Sequence, residues 1–187
     1  MLTQPQIEFV VSLYPAAKEC ENRWRVPVYI SLGQTLHESW TPAGKPSRLA
    51  LQAHNYWGIK AFKSWKGRIC RLDTFEFKNG VRVIKKGIAW RKYPDDYQAF
   101  DDYGQLLNSP RYVSAFRHLA GDPALRTEEQ EDKFISEIAH QWATDPNYAR
   151  YVDKAEDLVQ GEMENIMLFS RAIILAAKAT MQVLRGV

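Results

Sequence analysis

The sequence predicts a mainly helical α+β domain that carries one small β-hairpin. Apolar residues recur at helical spacing over most of the chain, beginning at residues 5–23 and returning after residue 97. Between residues 69 and 93, β-branched and aromatic residues flank Lys78-Asn79-Gly80, and Asn-Gly is the strongest short signal for a hairpin. No internal repeat or flexible linker interrupts the 187 residues, so we expect a single domain, 1–187.

The helices are predicted from the spacing of apolar residues and from the residues that end each run. The first, residues 5–23, contains Pro15, where we expect a break or the start of a second helix. Pro27 opens the next helix, residues 28–40, and two prolines and a glycine within residues 41–46 end it. A short helical turn is expected at residues 47–53. The later helices are expected at residues 97–107, 111–119, 128–142, 148–159 and 163–184.

The composition is that of an ordinary globular protein. Hydrophobic residues make up 45% of the chain and charged residues 25%, which excludes a disordered or collagen-like protein. The formal net charge is +3, and acidic residues are interspersed among the basic ones. Because no run of basic residues stands out, we expect no nucleic-acid partner.

We expect neither a signal peptide nor a membrane span at the ends of the chain. The N-terminus has no basic region, and the apolar stretch that follows it is broken by Glu8. The last predicted helix carries Arg171 and Lys178, which argues against a membrane span. Its apolar residues recur at helical spacing, so we expect an amphipathic helix that covers the core. These residues are Ile166, Phe169, Ile173, Ala177 and Val183.

Cysteine and histidine spacing does not predict a metal site. Cys20 and Cys70 permit one disulfide or none, and the sequence leaves both outcomes open. Neither cysteine has a second cysteine or a histidine at the spacing of metal ligands. The histidines are scattered along the chain, so we expect no metal and no cofactor. They are His37, His54, His118 and His140.

Glu38 is the first candidate for chemistry, because it falls in the last turn of the helix predicted at residues 28–40. It lies between Leu36 and Trp40, where partial desolvation favours the protonated form of a carboxyl group. A glycoside hydrolase needs such an acid to protonate the leaving oxygen. By position alone, however, a glutamate at a helix end is more often a solvated surface residue.

The sequence around Glu38 resembles the glucosaminidase family of peptidoglycan hydrolases, which includes flagellar rod-cap proteins, autolysins and phage lysins. The resemblance runs over residues 7–158, and the segment from about 163 to 185 looks like an added C-terminal helix. In chain order, the motifs that carry it are Ser31-Leu32-Gly33-Gln34-Thr35-Leu36-His37-Glu38-Ser39-Trp40, Asn55-Tyr56-Trp57-Gly58-Ile59-Lys60, Thr74-Phe75-Glu76, Ala89-Trp90-Arg91-Lys92-Tyr93 and Ala143-Thr144-Asp145-Pro146-Asn147-Tyr148-Ala149. The chain departs from many members at Gln141-Trp142, where they carry Gly-Tyr.

This resemblance implies a lysozyme-like helical domain in which the hairpin forms a flap beside the active-site groove. By the same resemblance Glu38 is the general acid and Glu76 is the second carboxylate. From the residues alone, the alternative for Glu76 is an exposed glutamate paired with Lys78 or Arg71 on the flap, and Asp73 and Asp95 are the nearest rival carboxylates.

Sugar rings stack on aromatic side chains, so a groove for a glycan needs several of them. We expect two or three of the candidates to line the groove and the others to pack in the core. With Asn55, the candidates are Trp57, Trp90, Tyr93, Trp142 and Tyr148.

The resemblance implies an endo-β-N-acetylglucosaminidase that cuts the glycan strands of peptidoglycan. A lytic transglycosylase and a non-catalytic glycan-binding or assembly module are the alternatives. Without a signal peptide, the protein is expected to reach the periplasm or cell wall by a route other than Sec. The protein is then either a phage lysin that is released from the host cell or a toxin that a type VI secretion system injects. An injected toxin is expected to have an immunity protein as its partner.

Overall fold

The computed structural model describes the backbone of residues 1–78 and 81–185, and the side chains of these residues except 76–78, 81–82, 124 and 175–185. The Asn79-Gly80 turn predicted from the sequence lies outside the described residues. In order, the elements are α1 (Gln4–Trp24), α2 (Val28–Ser39), β1 (Trp40–Thr41), β2 (Lys45–Pro46), α3 (Arg48–Ala53), β3 (Arg68–Lys78), β4 (Val81–Lys92), α4 (Asp96–Leu107), two 3₁₀ helices (Val113–Leu119 and Pro123–Leu125), α5 (Glu128–Trp142) and α6 (Tyr148–Arg185). The predicted fold class, mainly helical with a small β-hairpin formed by β3 and β4, is confirmed. Strands β1 and β2 form a second, two-residue antiparallel pair that the sequence did not predict.

Helix α1 does not break at Pro15, contrary to the prediction. Pro15 is exposed, and so is Val11, whose carbonyl loses its helical partner because proline has no N–H. Water can therefore bind that carbonyl. Val10, Leu13 and Ala17 are buried on the opposite face of the helix, and their packing holds one continuous helix.

Helix α6 is also continuous, although two helices were predicted on either side of Gly161. Val159 and Met163 are both buried, and their spacing of four residues places them on one face of the helix. A glycine inside a helix costs only about 1 kcal/mol. Burial of the two flanking side chains outweighs that cost, so the helix runs from Tyr148 to Arg185.

The far half of α6 does not cover the core as the sequence predicted. Ile166 packs against the core, but Phe169 is 70% exposed and Ile173 is 55% exposed. The helix extends past the body of the domain at this point. Side chains at Ala177 and Val183 lie outside the described residues. Among the residues that are described, no helix combines the length and apolar character needed to cross a bilayer.

Helix α2 is the centre of the core. It is enclosed by α1 on one side and α6 on another, and residues 30–36 are buried throughout. Gly33 lies at a close approach of α2 to α6, because a Cβ added there would lie 2.6 Å from the backbone nitrogen of Glu156. This close approach brings the end of α2 against the start of α6.

Replacing Gly33 by alanine is therefore expected to destabilise the fold by about 1–3 kcal/mol, since α2 and α6 would have to move apart. Gly161→Ala is the matched control, because nothing lies within 4 Å of a Cβ at that helical position. The control should be neutral or stabilising by up to about 1 kcal/mol. Chemical denaturation of both variants measures this difference, and equal stabilities would contradict the expected effect.

The hairpin consists of β3 and β4 paired antiparallel, with a bulge near its base. Leu72 pairs with Ile88 and Thr74 pairs with Lys85, so two residues of β4 face Asp73. The Asp73 carboxylate accepts a hydrogen bond from the Gly87 N–H at 2.8 Å, and Gly87 has a φ of 62°. At the base, residues 59–61 add backbone hydrogen bonds to β4. The bulge and this extra pairing fix the direction of the hairpin relative to α2 and α3.

Candidate active site

The Glu38 carboxylate is held at the end of α2 by two hydrogen-bond donors from distant parts of the chain. Its Oε1 accepts one hydrogen bond from the Trp142 Nε1–H at 2.8 Å and another from the Tyr148 hydroxyl at 2.5 Å. Glu38 is half-buried, and α2 ends one residue later. A carboxyl group at this place is fixed in orientation and still reaches the surface.

Behind Glu38, a buried chain of hydrogen bonds continues into the core. The Gln34 Nε2 donates to the Tyr148 hydroxyl at 2.8 Å, and the Tyr103 hydroxyl donates to the Gln34 Oε1 at 2.5 Å. Gln34 and Glu38 are four residues apart, so both lie on the same face of α2. Burial and the neighbouring Glu38 carboxylate raise the pKa of the Tyr148 phenol well above its ordinary value. The phenol therefore stays protonated and acts as a donor.

A groove of about 280 Å³ opens beside Glu38. One wall combines Glu38 with the start of α3, and the opposite wall is the base of the hairpin around its bulge. The residues that line it are Glu38, Ser47, Arg48, Leu49, Asn55, Tyr56, Gly58, Leu72, Asp73, Thr74 and Trp90. A polymer chain lying in this groove would pass between a carboxyl group on α2 and polar side chains on the hairpin.

Comparison with known proteins places this arrangement in a family. Residues 14–159 match the model of the Glucosaminidase family, described as mannosyl-glycoprotein endo-beta-N-acetylglucosaminidase. The chain belongs to the glucosaminidase family. Peptidoglycan hydrolase FlgJ of Vibrio cholerae is 30% identical over 143 residues, which are 75% of this chain and 40% of that protein. The chain thus matches less than half the length of this relative.

Solved structures share the fold of this chain. The glycoside hydrolase domain of FlgJ from Salmonella typhimurium superposes with a TM-score of 0.65 at 25% identity, covering 90% of this chain and 97% of that domain. A type VI secretion system effector-immunity complex from Pseudomonas protegens gives a TM-score of 0.52 at 17% identity, covering 87% of this chain and 96% of that one. This second likeness concerns the fold. The expected lysozyme-like glycoside hydrolase fold is confirmed.

The predicted site residues separate into two groups. Trp142 and Tyr148 contact Glu38, while Asn55 and Trp90 line the groove. Trp57 and Tyr93 lie in the core instead. The Trp57 ring is only 3% exposed. Sequence alone could not separate the groups, because the burial of each ring depends on residues that are distant along the chain.

Two of the predicted residues have packing or loop-closing contacts. The Tyr93 hydroxyl donates to Asp102, which also pairs with Arg91. The Asn55 amide donates to the carbonyls of Ile59 and Arg91 and accepts from the Ile59 N–H. Asn55 therefore closes the loop of residues 55–59 onto β4 and shapes one end of the groove. Direct stacking of a sugar on Tyr93 is ruled out in this conformation because the ring is buried.

The carboxylates considered as partners of Glu38 have different positions. Glu76 lies in β3 opposite Val83, and its side chain is outside the described residues. Asp73 lines the groove and holds the bulge through Gly87. Asp95 caps α4 by accepting from the Gln98 N–H at 2.8 Å, so its carboxylate has a structural contact away from the groove.

Both cysteines are free thiols, which resolves the question that the sequence left open. Cys20 is buried in α1, and burial raises the pKa of its thiol to about 12. Such a thiol stays protonated at neutral pH and behaves as a small apolar side chain. The His37 ring stacks on Tyr151 and meets the edge of Tyr148.

Sequence reasoning missed Gln34 and Tyr103, which form the inner part of the hydrogen-bond chain. One signal for Gln34 was present, since it precedes Glu38 by four residues and therefore lies on the same face of the predicted helix. Tyr103 gave no local signal, because it lies 69 residues from its partner Gln34.

Proposed function

We propose that this chain hydrolyses the glycan strands of bacterial peptidoglycan and cuts at N-acetylglucosamine. The observation that carries this activity is the Glu38 carboxyl group, fixed by Trp142 and Tyr148 at the edge of an open groove. Membership of the glucosaminidase family supports a glycosidic bond of N-acetylglucosamine as the bond that is cut. The Vibrio cholerae relative is named a peptidoglycan hydrolase, which supports peptidoglycan as the substrate.

In this mechanism Glu38 is the general acid that protonates the glycosidic oxygen as the bond to the anomeric carbon breaks. Positive charge then develops on the sugar ring, and a second carboxylate stabilises it or activates water. We assign that second role to Glu76 of β3, which would act when the hairpin closes over the bound glycan strand. Asp73 is tied to Gly87 and keeps the bulge in place. Trp90 of β4 lines the groove but is only 8% exposed, so it shapes the wall beside a sugar ring rather than offering an open ring face.

Digestion of purified peptidoglycan, followed by borohydride reduction and mass spectrometry of the fragments, tests this activity. Fragments that end in reduced N-acetylglucosamine are the expected result. Ends in anhydro-muramic acid would instead identify a lytic transglycosylase, and reduced muramic acid ends would identify a muramidase. A folded protein that releases no fragments would be a glycan-binding or assembly module. Each of these three outcomes contradicts the proposal in a different way.

The place of action proposed for this enzyme is the periplasm or the cell wall. As a type VI effector, it would require an immunity protein that covers the groove and keeps glycan away from Glu38. As a phage lysin, it would require no such partner. The likeness to a protein from an effector-immunity complex in Pseudomonas protegens is compatible with the first route.

A further inference from the structure

Gln34 makes two side-chain hydrogen bonds that are directional. It is 2% exposed, its Oε1 accepts from the Tyr103 hydroxyl, and its Nε2 donates to the Tyr148 hydroxyl. An amide oxygen carries no proton and can only accept, whereas an amide nitrogen only donates. The Tyr103 hydroxyl is buried, and Gln34 is its acceptor in the described part of the chain. Tyr103 therefore sets which end of the Gln34 amide faces Tyr148.

The orientation of Gln34 in turn determines where the Tyr148 proton points. A phenol has one proton to donate, and its oxygen can accept at the same time. Because the Tyr148 oxygen accepts from Gln34, its own proton is free for the Glu38 Oε1, 2.5 Å away. If the amide were reversed, the Tyr148 hydroxyl would donate to the Gln34 oxygen and turn away from Glu38.

Both donors that reach Glu38 bind the same oxygen. The Trp142 Nε1–H and the Tyr148 hydroxyl each donate to Oε1, and no described residue donates to Oε2. A neutral carboxyl group has one oxygen that accepts and one that carries the proton. Two donors at Oε1 make it the accepting oxygen, so the proton belongs on Oε2.

We propose that Gln34, oriented by Tyr103, is a positioning residue that keeps the Tyr148 proton on Oε1 of Glu38 and thereby reserves Oε2 for the proton given to the glycosidic oxygen. This inference rests on the proposed role of Glu38 as general acid. It also gives Trp57 a role away from the substrate. The Trp57 ring stacks on the Tyr103 ring, with ring centres 4.1 Å apart and an angle of 9° between the planes. This stacking holds Tyr103, the first residue of the hydrogen-bond chain that leads to Glu38, in place.

A double-mutant cycle tests the coupling between Gln34 and Tyr148. Gln34→Met keeps the length of the side chain but removes both hydrogen bonds, and Tyr148→Phe removes the hydroxyl. We expect Gln34→Met to lower kcat about tenfold, with KM changed less than about twofold, because the acid is misoriented while the groove is intact. In the Tyr148→Phe background the same change should cost less than about twofold, since the hydroxyl that Gln34 orients is already absent.

Tyr103→Phe is the second variant, and it keeps the stacking on Trp57 while freeing the Gln34 amide to reverse. The loss of kcat caused by Tyr103→Phe should also disappear in the Tyr148→Phe background. Tyr103→Phe can therefore replace Gln34→Met in the double-mutant cycle if the Gln34→Met protein does not fold. Ser31→Ala is the control for a buried polar loss in α2, since the Ser31 hydroxyl donates to the Val28 carbonyl within the same helix. That control should keep kcat even where its melting temperature falls.

Equal losses in both backgrounds would overturn the inference, and so would an unchanged kcat in the folded Gln34→Met and Tyr103→Phe proteins. A loss confined to KM would overturn it as well. These outcomes are distinct from failure of the proposed function. If activity survives Glu38→Gln, the assignment of Glu38 as the general acid is wrong. If Glu38→Gln is inactive but the effects of the Gln34 and Tyr148 substitutions are additive, only the role of Gln34 is wrong.

Discussion

Glu38→Gln is expected to lower kcat on purified peptidoglycan by about three orders of magnitude, because the amide N–H is far too weakly acidic to transfer a proton to the leaving oxygen. Loss of a general acid typically costs 10²- to 10⁴-fold. The amide oxygen can still accept from Trp142 and Tyr148, so the end of α2 should keep its structure. The release of soluble fragments over time measures the loss, and a thermal melt verifies the fold.

Glu19→Gln is the matched control for this experiment. Glu19 is an exposed glutamate on α1 that does not line the groove, and the same chemical change there should leave kcat unchanged. A folded Glu38→Gln protein that keeps near-full activity would contradict the assignment of the general acid. Equal losses in the two variants would point to a general effect of charge instead.

Glu156→Gln is expected to raise the free energy of unfolding at alkaline pH by an amount on the order of 3 kcal/mol. It should have almost no effect when the pH is close to the ordinary pKa of a glutamate. Glu156 is 6% exposed, and its Oε1 has no hydrogen-bond partner in the described structure. Burial raises its pKa to about 8, and the charges of Glu131, Asp157, Asp153 and Asp132 add to this effect. The ionised form is therefore costly in the folded state.

The direction of the pH dependence follows from the raised pKa. Below the unfolded pKa, near 4.5, Glu156 is protonated in both states and costs nothing. As the pH rises toward 8 the unfolded chain releases the proton while the folded chain keeps it, so stability falls. Above 8 the cost is complete and constant. A tenfold difference in proton affinity between the two states corresponds to about 1.4 kcal/mol, before relaxation of the site lowers the total.

Urea denaturation of wild type and Glu156→Gln at pH 4.5 and pH 9 measures this effect. Asp153 on the same face has a pKa raised to about 6 by burial and by its hydrogen bond with Asp132, so wild type should already lose some stability between pH 4 and 6. Glu164→Gln is the control, because Glu164 is exposed on the same helix. It should change stability by less than about 0.5 kcal/mol at either pH. A destabilised Glu156→Gln at pH 9 would contradict the expected sign.

The sequence alone determined the features that depend on local chemistry. The period of apolar residues and the prolines and glycine after residue 40 placed Glu38 in the last turn of α2, and the structure ends that helix at Ser39. The change of pattern near residue 69 located the hairpin, which β3 and β4 form. The order of motifs along the chain was enough to indicate the family, which the match over residues 14–159 confirms.

Only the tertiary structure decided which residues act together. Pro15 and Gly161 should interrupt helices on local grounds, but burial on one face of α1 and of α6 outweighs the local cost. Trp57 and Trp142 look alike in sequence, yet the first packs on Tyr103 while the second reaches Glu38 from 104 residues away. Contacts over such separations depend on how the helices pack around α2, and that packing is a property of the whole chain.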